Sequence, residues 1–247
     1  LVVQPDAPAF RTADHYGAAL ELVDDPVELL QVVKTLAAAA DRALSCAAFE
    51  PAHRFAEAAL DARAEHRLEL EPHLLARLRR QAARAAWLVG DIHQMQIHLD
   101  ALREGASLRD RLRAETIRVH AMIAHGDPSG ALDLALVVLA EAGVELPRKP
   151  GPDQVQAAVL AVLPAASEAD VDGLPEMPFD PLEVARRRLL VRIASAAYVA
   201  EPNLLPLIAC ALVRRTLAEG TSKESSYGFG LYAFCLFAAW ALEPGAQ

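Results

Sequence analysis

Apolar residues recur along nearly the whole chain at spacings of three and four, the period of a helix with one buried face. From Pro181 onward, Val184, Leu189, Leu190, Ile193, Ala196 and Ala197 fall into one such stripe. No run alternates with period two, and the β-branched residues are scattered, so the pattern predicts no strands. It predicts helices over 26–46, 50–65, 73–89, 92–105, 108–125, 128–142, 152–166, 181–200, 204–219 and 222–242. Residues 1–25 are less regular, hold Pro5 and Pro8, and read as a docking arm or linker.

The polar residues between these stripes are start and stop signals. Asp180-Pro181-Leu182-Glu183 opens a helix: Asp180 caps it, Pro181 needs no N–H in the first turn, and Glu183 stands where a capping-box acid belongs. Glu201-Pro202 ends that helix, because the residue before a proline is pushed out of the α region. Asn203 is the expected next cap, with Pro206 in the first turn. Gly220 is a left-handed terminator, and Thr221-Ser222-Lys223-Glu224 reads as a second capping box. Pro244-Gly245 stops the last helix, and Asp24-Asp25 before Pro26 caps the first.

Two Gly-Asp pairs, Gly90-Asp91 and Gly126-Asp127, lie 36 residues apart, each following an apolar helix end. In each the glycine closes one helix and the aspartate caps the next. Phe49-Glu50-Pro51, about 40 residues upstream of the first pair, reads as a degenerate third copy. This is a tetratricopeptide-like period, and three stacked hairpins suffice for a solenoid. The clearest break is Glu145–Asp153, rich in proline, followed by a second from Ser167 to Pro178. The expected organisation is an N-terminal arm (1–25), tetratricopeptide-like antiparallel helix hairpins stacked as a solenoid (26–146) and a C-terminal helical subdomain (147–247), with a possible hinge at 145–153. The fold class is all-α.

Composition narrows the partners. Hydrophobic residues make up 53% of the 247 but aromatics only 5%, the vocabulary of packed Ala, Leu and Val helices. The net charge is −9 and arginine is interleaved with acids, which disfavours nucleic acid. Arg77, Arg79, Arg80 and Arg84 form one short basic run; a solvated helix face is favoured over phosphate binding there. Cys46, Cys210 and Cys235 are odd in number, widely spaced and set in apolar helices, the pattern of buried free thiols in a reducing, cytoplasmic setting. Tyr227–Leu242 carries no charge for 16 residues. That is short of the roughly 20 needed to cross a bilayer, so no membrane span is expected. The chain starts at Leu1, as a segment of a longer protein would.

Candidate chemistry is sparse. The sequence has no G-x-x-x-x-G-K-[ST], no kinase set, no G-x-S-x-G and no H-E-x-x-H, so no enzyme, metal or cofactor is expected within it. His93 and His98, like His120 and His125, are spaced by five, about 140° apart around a helix, whereas a chelating pair wants three or four. His93 and His120 could still meet across a hairpin. Glu69 and Glu71 read as loop residues, with nothing to mark an acid–base pair. Aromatics concentrate near the C-terminus. Phe229, Tyr232 and Phe237 fall near one side of the last helix, and with Trp240 they form the candidate interaction surface, the alternative being core packing.

Residue order in the C-terminal quarter carries a resemblance. The relevant residues are Leu174-Pro175 with Met177, Asp180-Pro181, Ala197-Tyr198, Ala200, Pro202, Leu204, Pro206-Leu207-Ile208, Gly220, Ser222, Ser225 and Tyr232, with Gly143-Val144-Glu145-Leu146-Pro147 upstream. Across about residues 49–240 the chain resembles the helical region of large bacterial multidomain signalling ATPases, which combine serine/threonine kinase, AAA or STAND ATPase and sensor histidine kinase or cyclase modules. Arg214-Arg215-Thr216 departs from the pattern, standing where a more apolar stretch is usual. The resemblance implies a non-enzymatic scaffold or regulatory domain that contacts other domains of its parent chain, a protein partner or a second copy. The alternative is a small-ligand (inducer) sensing domain controlling a linked ATPase.

Overall fold

Most of the helices begin where a side chain or a proline relieves the unpaired N–H groups of the first turn. In the computed structural model, which describes residues 7–23, 25–103, 106–171 and 173–241 (side chains of 7–9, 21 and 239–241 excepted), Asp25 accepts from the Glu28 N–H and Pro26 is the first residue of α2 (Pro26–Ser45). It is preceded by α1 (Ala7–Ala18) and followed by α3 (Phe49–Glu65), α4 (Pro72–Val89), α5 (Ile92–Asp100), α6 (Leu108–Ala124), α7 (Pro128–Glu141), α8 (Pro152–Glu168), α9 (Pro181–Ala200), α10 (Leu204–Glu219) and α11 (Ser225–Ala241). No strand occurs among the described residues; Glu176 and Thr221 form one isolated parallel bridge. No described helix is long and apolar enough to cross a membrane.

The two Gly-Asp turns work as their residue types dictate. Gly90 and Gly126 adopt φ of +89° and +83°, closing α4 and α6. Asp91 then accepts from the Gln94 N–H and Asp127 from the Gly130 N–H, each at 2.9 Å, opening α5 and α7.

The chain forms two compact units, residues 1–114 and 115–247. In the first, α2 packs on α3, α3 on α4 and α4 on α5, with further contact between α2 and α4. Short connections make such neighbours antiparallel. Their contact surfaces are rich in alanine: Ala37, Ala40, Ala56, Ala59 and Ala82 are all fully buried. Small side chains let the helix axes approach, while Leu36, Phe55 and Leu78 fill the remaining space. Gln81 of α4 donates to the Ala37 carbonyl of α2 at 2.9 Å inside this core. Within the segment read as an arm or linker, Ala7–Ala18 forms a helix. Phe10 of α1 stacks on Phe55 with ring centroids 6.0 Å apart, so its apolar face belongs to the core.

In the second unit neighbours in sequence are not always neighbours in space. α7 packs on α9, α9 on α10, and α10 on both α8 and α11. The last three share a core of Val162, Ala209, Cys210, Val213 and Tyr232. The proline-rich connection suggested as a hinge is tied down within this unit. Arg148 binds Asp133, donates to Ser129 Oγ at 2.8 Å and lies 3.9 Å from Glu201, and Asn203 Nδ2 donates to the Pro150 carbonyl at 3.1 Å.

That last bond is one of four local corrections. Asn203 is spent on Pro150 and makes no capping bond to α10. Residues 101–103 form a turn, so α5 ends at Asp100. Thr221–Glu224 is not a capping box at the start of α11: Thr221 pairs with the 175–177 segment, and the helix begins at Ser225. Glu183 is not a capping-box acid either, for the reason that follows. Leu242 and Pro244-Gly245 lie outside the described residues, as does Asp24.

Candidate functional site

Several polar groups of the second unit converge on one buried guanidinium, that of Arg187. Asp180 caps α9 through the Leu182 N–H at 2.8 Å, which sets the register of its first two turns. Glu183 and Arg187 then stand one turn apart on the inward face, 2% and 0% exposed. Arg187 Nε donates to Glu183 Oε1 at 2.9 Å. Its Nη1 donates to the Gly220 carbonyl at 2.9 Å and to Ser222 Oγ at 3.3 Å. Its Nη2 donates to the Arg215 carbonyl at 3.0 Å and to Glu219 Oε2 at 3.2 Å. Glu183 Oε2 accepts from Arg215 at 2.5 Å and from Arg186 at 3.3 Å. The buried arginine and carboxylate are thus both paired and hydrogen-bonded, the condition under which buried charge is tolerated.

Around this centre the chain folds back on itself. Gly220 takes φ of +100° and passes so close to the 175–177 segment that a Cβ there would lie 2.6 Å from the Pro175 carbonyl oxygen. Thr221 N–H donates to that same oxygen at 2.8 Å, and Met177 N–H donates to the Thr221 carbonyl at 2.9 Å. Ser225 Oγ accepts from the Ser222 N–H at 2.9 Å and lies 3.0 Å from Thr216 Oγ1. The residues that stood out in the sequence as LP-x-M and G-x-S-x-x-S therefore meet at one clasp. Its geometry holds α9, α10 and α11 together. Burial, then the nearby Glu183, raises the pKa of Glu219, against the opposing pull of Arg187 and Arg215.

Other titratable groups also form structural contacts. In the first unit His98 Nε2 lies 2.7 Å from Glu57 Oε1, and His53 Nδ1 lies 3.6 Å from the same oxygen. Burial and the charges of Glu57 and Glu65 push Asp61 up, with His98 opposing. His93 is exposed; His120 lies 3.1 Å from Arg192 Nη1, and His125 Nδ1 lies 2.8 Å from the Ala121 carbonyl. No group of three His, Cys, Asp or Glu among the described residues is arranged to hold a metal. All three cysteines are free thiols, and burial pushes Cys210 and Cys235 to about 11.

The aromatic residues proposed as an interaction surface divide. Tyr232 is turned inward, 4% exposed, and its hydroxyl donates to the Val159 carbonyl of α8 at 2.9 Å. Phe229 is half-buried against the same core. Phe237 is 64% exposed and is joined on the outside by Phe234 and Tyr227. The Trp240 side chain lies outside the described residues. Among the described side chains the outward aromatics of α11 are Tyr227, Phe234 and Phe237; of the strip read from the sequence Phe237 faces out, while Tyr232 turns in to its acceptor on α8.

The clasp had a readable trace. Glu183 and Arg187 are an i, i+4 pair, and Arg215 sits in the polar triplet Arg214-Arg215-Thr216. Comparison with family models, with curated proteins and with solved structures finds no match to this chain.

Proposed function

We propose that this chain is a non-enzymatic helical scaffold of tetratricopeptide-like type, a regulatory domain of a larger signal-transduction ATPase or kinase that mediates contacts within its parent chain or with a protein partner. The observation that carries the reading is the outer face of α11. There Phe234 and Phe237 are both more than half exposed, whereas the buried charges Glu183 and Arg187 are consumed by partners inside the fold. Aromatic side chains displayed on a rigid helix suit burial by another protein surface, the type of residue that dominates interface energetics. The hairpins of the first unit add support: antiparallel neighbours joined by short turns, Gly90-Asp91 among them, are the building pattern of helical repeats.

The test uses the complete protein that carries this chain. Phe234→Glu with Phe237→Glu should leave the helical content intact and change its regulated ATP hydrolysis or kinase rate at least threefold. A complete protein with no ATPase or kinase module, or an unchanged rate, overturns the reading.

A further inference from the structure

The outward stripe of α11 has a regular spacing. Tyr227, Gly230, Phe234 and Phe237 follow one another at intervals of three, four and three, the seam along which one helix pairs with another. The three aromatics are 44%, 52% and 64% exposed, and Gly230 is exposed among them. The two glycines of this helix serve different ends. Gly228 faces α10, where a Cβ would lie 2.8 Å from that of Leu212, so the close approach of the two helices requires it. A Cβ at Gly230 would meet nothing within 4 Å. A glycine inside a helix weakens it relative to alanine, and no contact among the described residues accounts for this one. On the outer face it leaves a hole between Tyr227 and Phe234.

Turned end for end and laid on itself, the stripe is its own complement. Tyr227 then faces the partner's Phe237, and Gly230 faces the partner's Phe234; two-fold symmetry makes each contact occur twice. Each Phe234 ring enters a hole left by a glycine, the knob-into-hole packing of paired helices. Parallel alignment fails, because it sets Gly230 on Gly230 and Phe234 on Phe234. Charge points the same way. Ser225 to Ala241 contains no Asp, Glu, Lys, Arg or His, in a chain of net charge −9. Two such copies repel over most of their surface, and across this stretch they meet without burying a charge. Antiparallel alignment also opposes the two helix dipoles.

We propose that α11 is the interface of an antiparallel, two-fold symmetric dimer of this chain, with Phe234 of each copy seated over Gly230 of the other. This rests on the reading of α11 as a contact face and gives that face one partner, a second copy. Area sets the strength of the pairing. Aromatic side chains offer roughly 200 Å² each, so at these exposures the three contribute about 300 Å² per copy. That makes a compact apolar core but falls short of the roughly 800 Å² per partner of a standard stable interface. The dimer is therefore reversible, forming at about micromolar concentration and above.

The test is sedimentation equilibrium of the full 247-residue chain over a concentration series. The wild type should pass from monomer to dimer as concentration rises. Gly230→Phe should weaken dimerisation tenfold or more by filling the hole. In dilute solution the same variant should melt no lower than the wild type, because the position is open and a helical glycine has been removed. Gly230→Phe combined with Phe234→Ala should recover dimerisation, since knob and hole have changed places; a parallel pair or a dimer through another surface gives no such recovery. A monomer at every concentration, a dimer that survives Gly230→Phe, or no recovery in the double variant overturns the proposal. Its failure is distinguishable from that of the scaffold reading. A monomeric chain whose complete protein still changes its rate with Phe234→Glu and Phe237→Glu keeps the scaffold and loses the dimer. A dimer abolished by those two substitutions, with the rate of the complete protein unchanged, does the reverse.

Discussion

Arg187 Nη1 donates to the carbonyl oxygen of Gly220 at 2.9 Å, joining the inner face of α9 to the turn between α10 and α11. That contact is possible because Gly220 alone in the turn has the left-handed φ of +100° and no Cβ to strike Pro175. The same guanidinium donates to Glu183, which is buried and accepts also from Arg215 and Arg186.

Arg187→Met should therefore destabilise the protein by about 3–5 kcal/mol, the cost of leaving a carboxylate buried beside a lost partner. Arg187→Lys should recover only part of this, since an ammonium cannot reach Glu183, Gly220 and Arg215 at once. The double variant Arg187→Met with Glu183→Leu should be more stable than Arg187→Met alone. Urea titration of the three variants reads the coupling; a strictly additive double variant would contradict a shared network.

Gly220→Ala meets both a backbone conformation that alanine rarely adopts and a carbonyl oxygen 2.6 Å from the new Cβ. Gly90→Ala meets only the first, since nothing lies within 4 Å of its Cβ. The expected loss is about 1 kcal/mol at Gly90 and clearly more at Gly220. Equal losses in thermal melts would show that the approach of the 175–177 segment is not tight in solution.

Two carboxylates predict opposite acid responses. Asp110 is raised by burial, but hydrogen bonds from Ser107 and Arg109 and the charges of Arg80 and Arg109 outweigh this and leave it below its ordinary 3.8. A depressed folded pKa adds stability that is present above 3.8 and lost as the pH falls below it. Glu219 is raised above 4.5, so its contribution grows as the pH falls from above its folded value towards 4.5. Relative to Asp110→Asn the wild type should lose stability below about pH 4, and relative to Glu219→Gln it should gain stability between pH 7 and about 4.5. Melting temperatures across that range decide; parallel curves for wild type and variants would refute both assignments.

Cys210 and Cys235, with thiols pushed to about 11, should resist alkylation at pH 8 in the native state. Fewer than about one in a hundred of each is thiolate there. Iodoacetamide labelling followed by mass spectrometry should mark both only after denaturation. Native labelling of Cys210 at the denatured rate would mean that the α8–α10–α11 core opens readily.

Much of the fold was legible because its signals are local. Asp25, Asp91, Asp127 and Asp180 cap as their positions dictate, and Gly90 and Gly126 terminate, since each depends only on residues within one turn. The signals that misled were polar residues claimed by distant partners. Asn203 serves Pro150, Thr221 serves Pro175 and Glu183 serves Arg215, contacts that local spacing does not encode. The helix Ala7–Ala18 was obscured by Pro5 and Pro8, which read as linker residues; Phe10 packs against Phe55. The candidate surface was half legible. The concentration of aromatics on α11 was plain, but which of them face out depends on the Val159 acceptor that draws Tyr232 inward.

The most direct test of the scaffold reading is the regulated ATP hydrolysis or kinase rate of the complete protein with the outer face of α11 intact and with Phe234→Glu and Phe237→Glu introduced together. The account predicts at least a threefold change in rate with helical content and melting temperature unaltered. An unchanged rate, or a complete protein with neither activity, would contradict it.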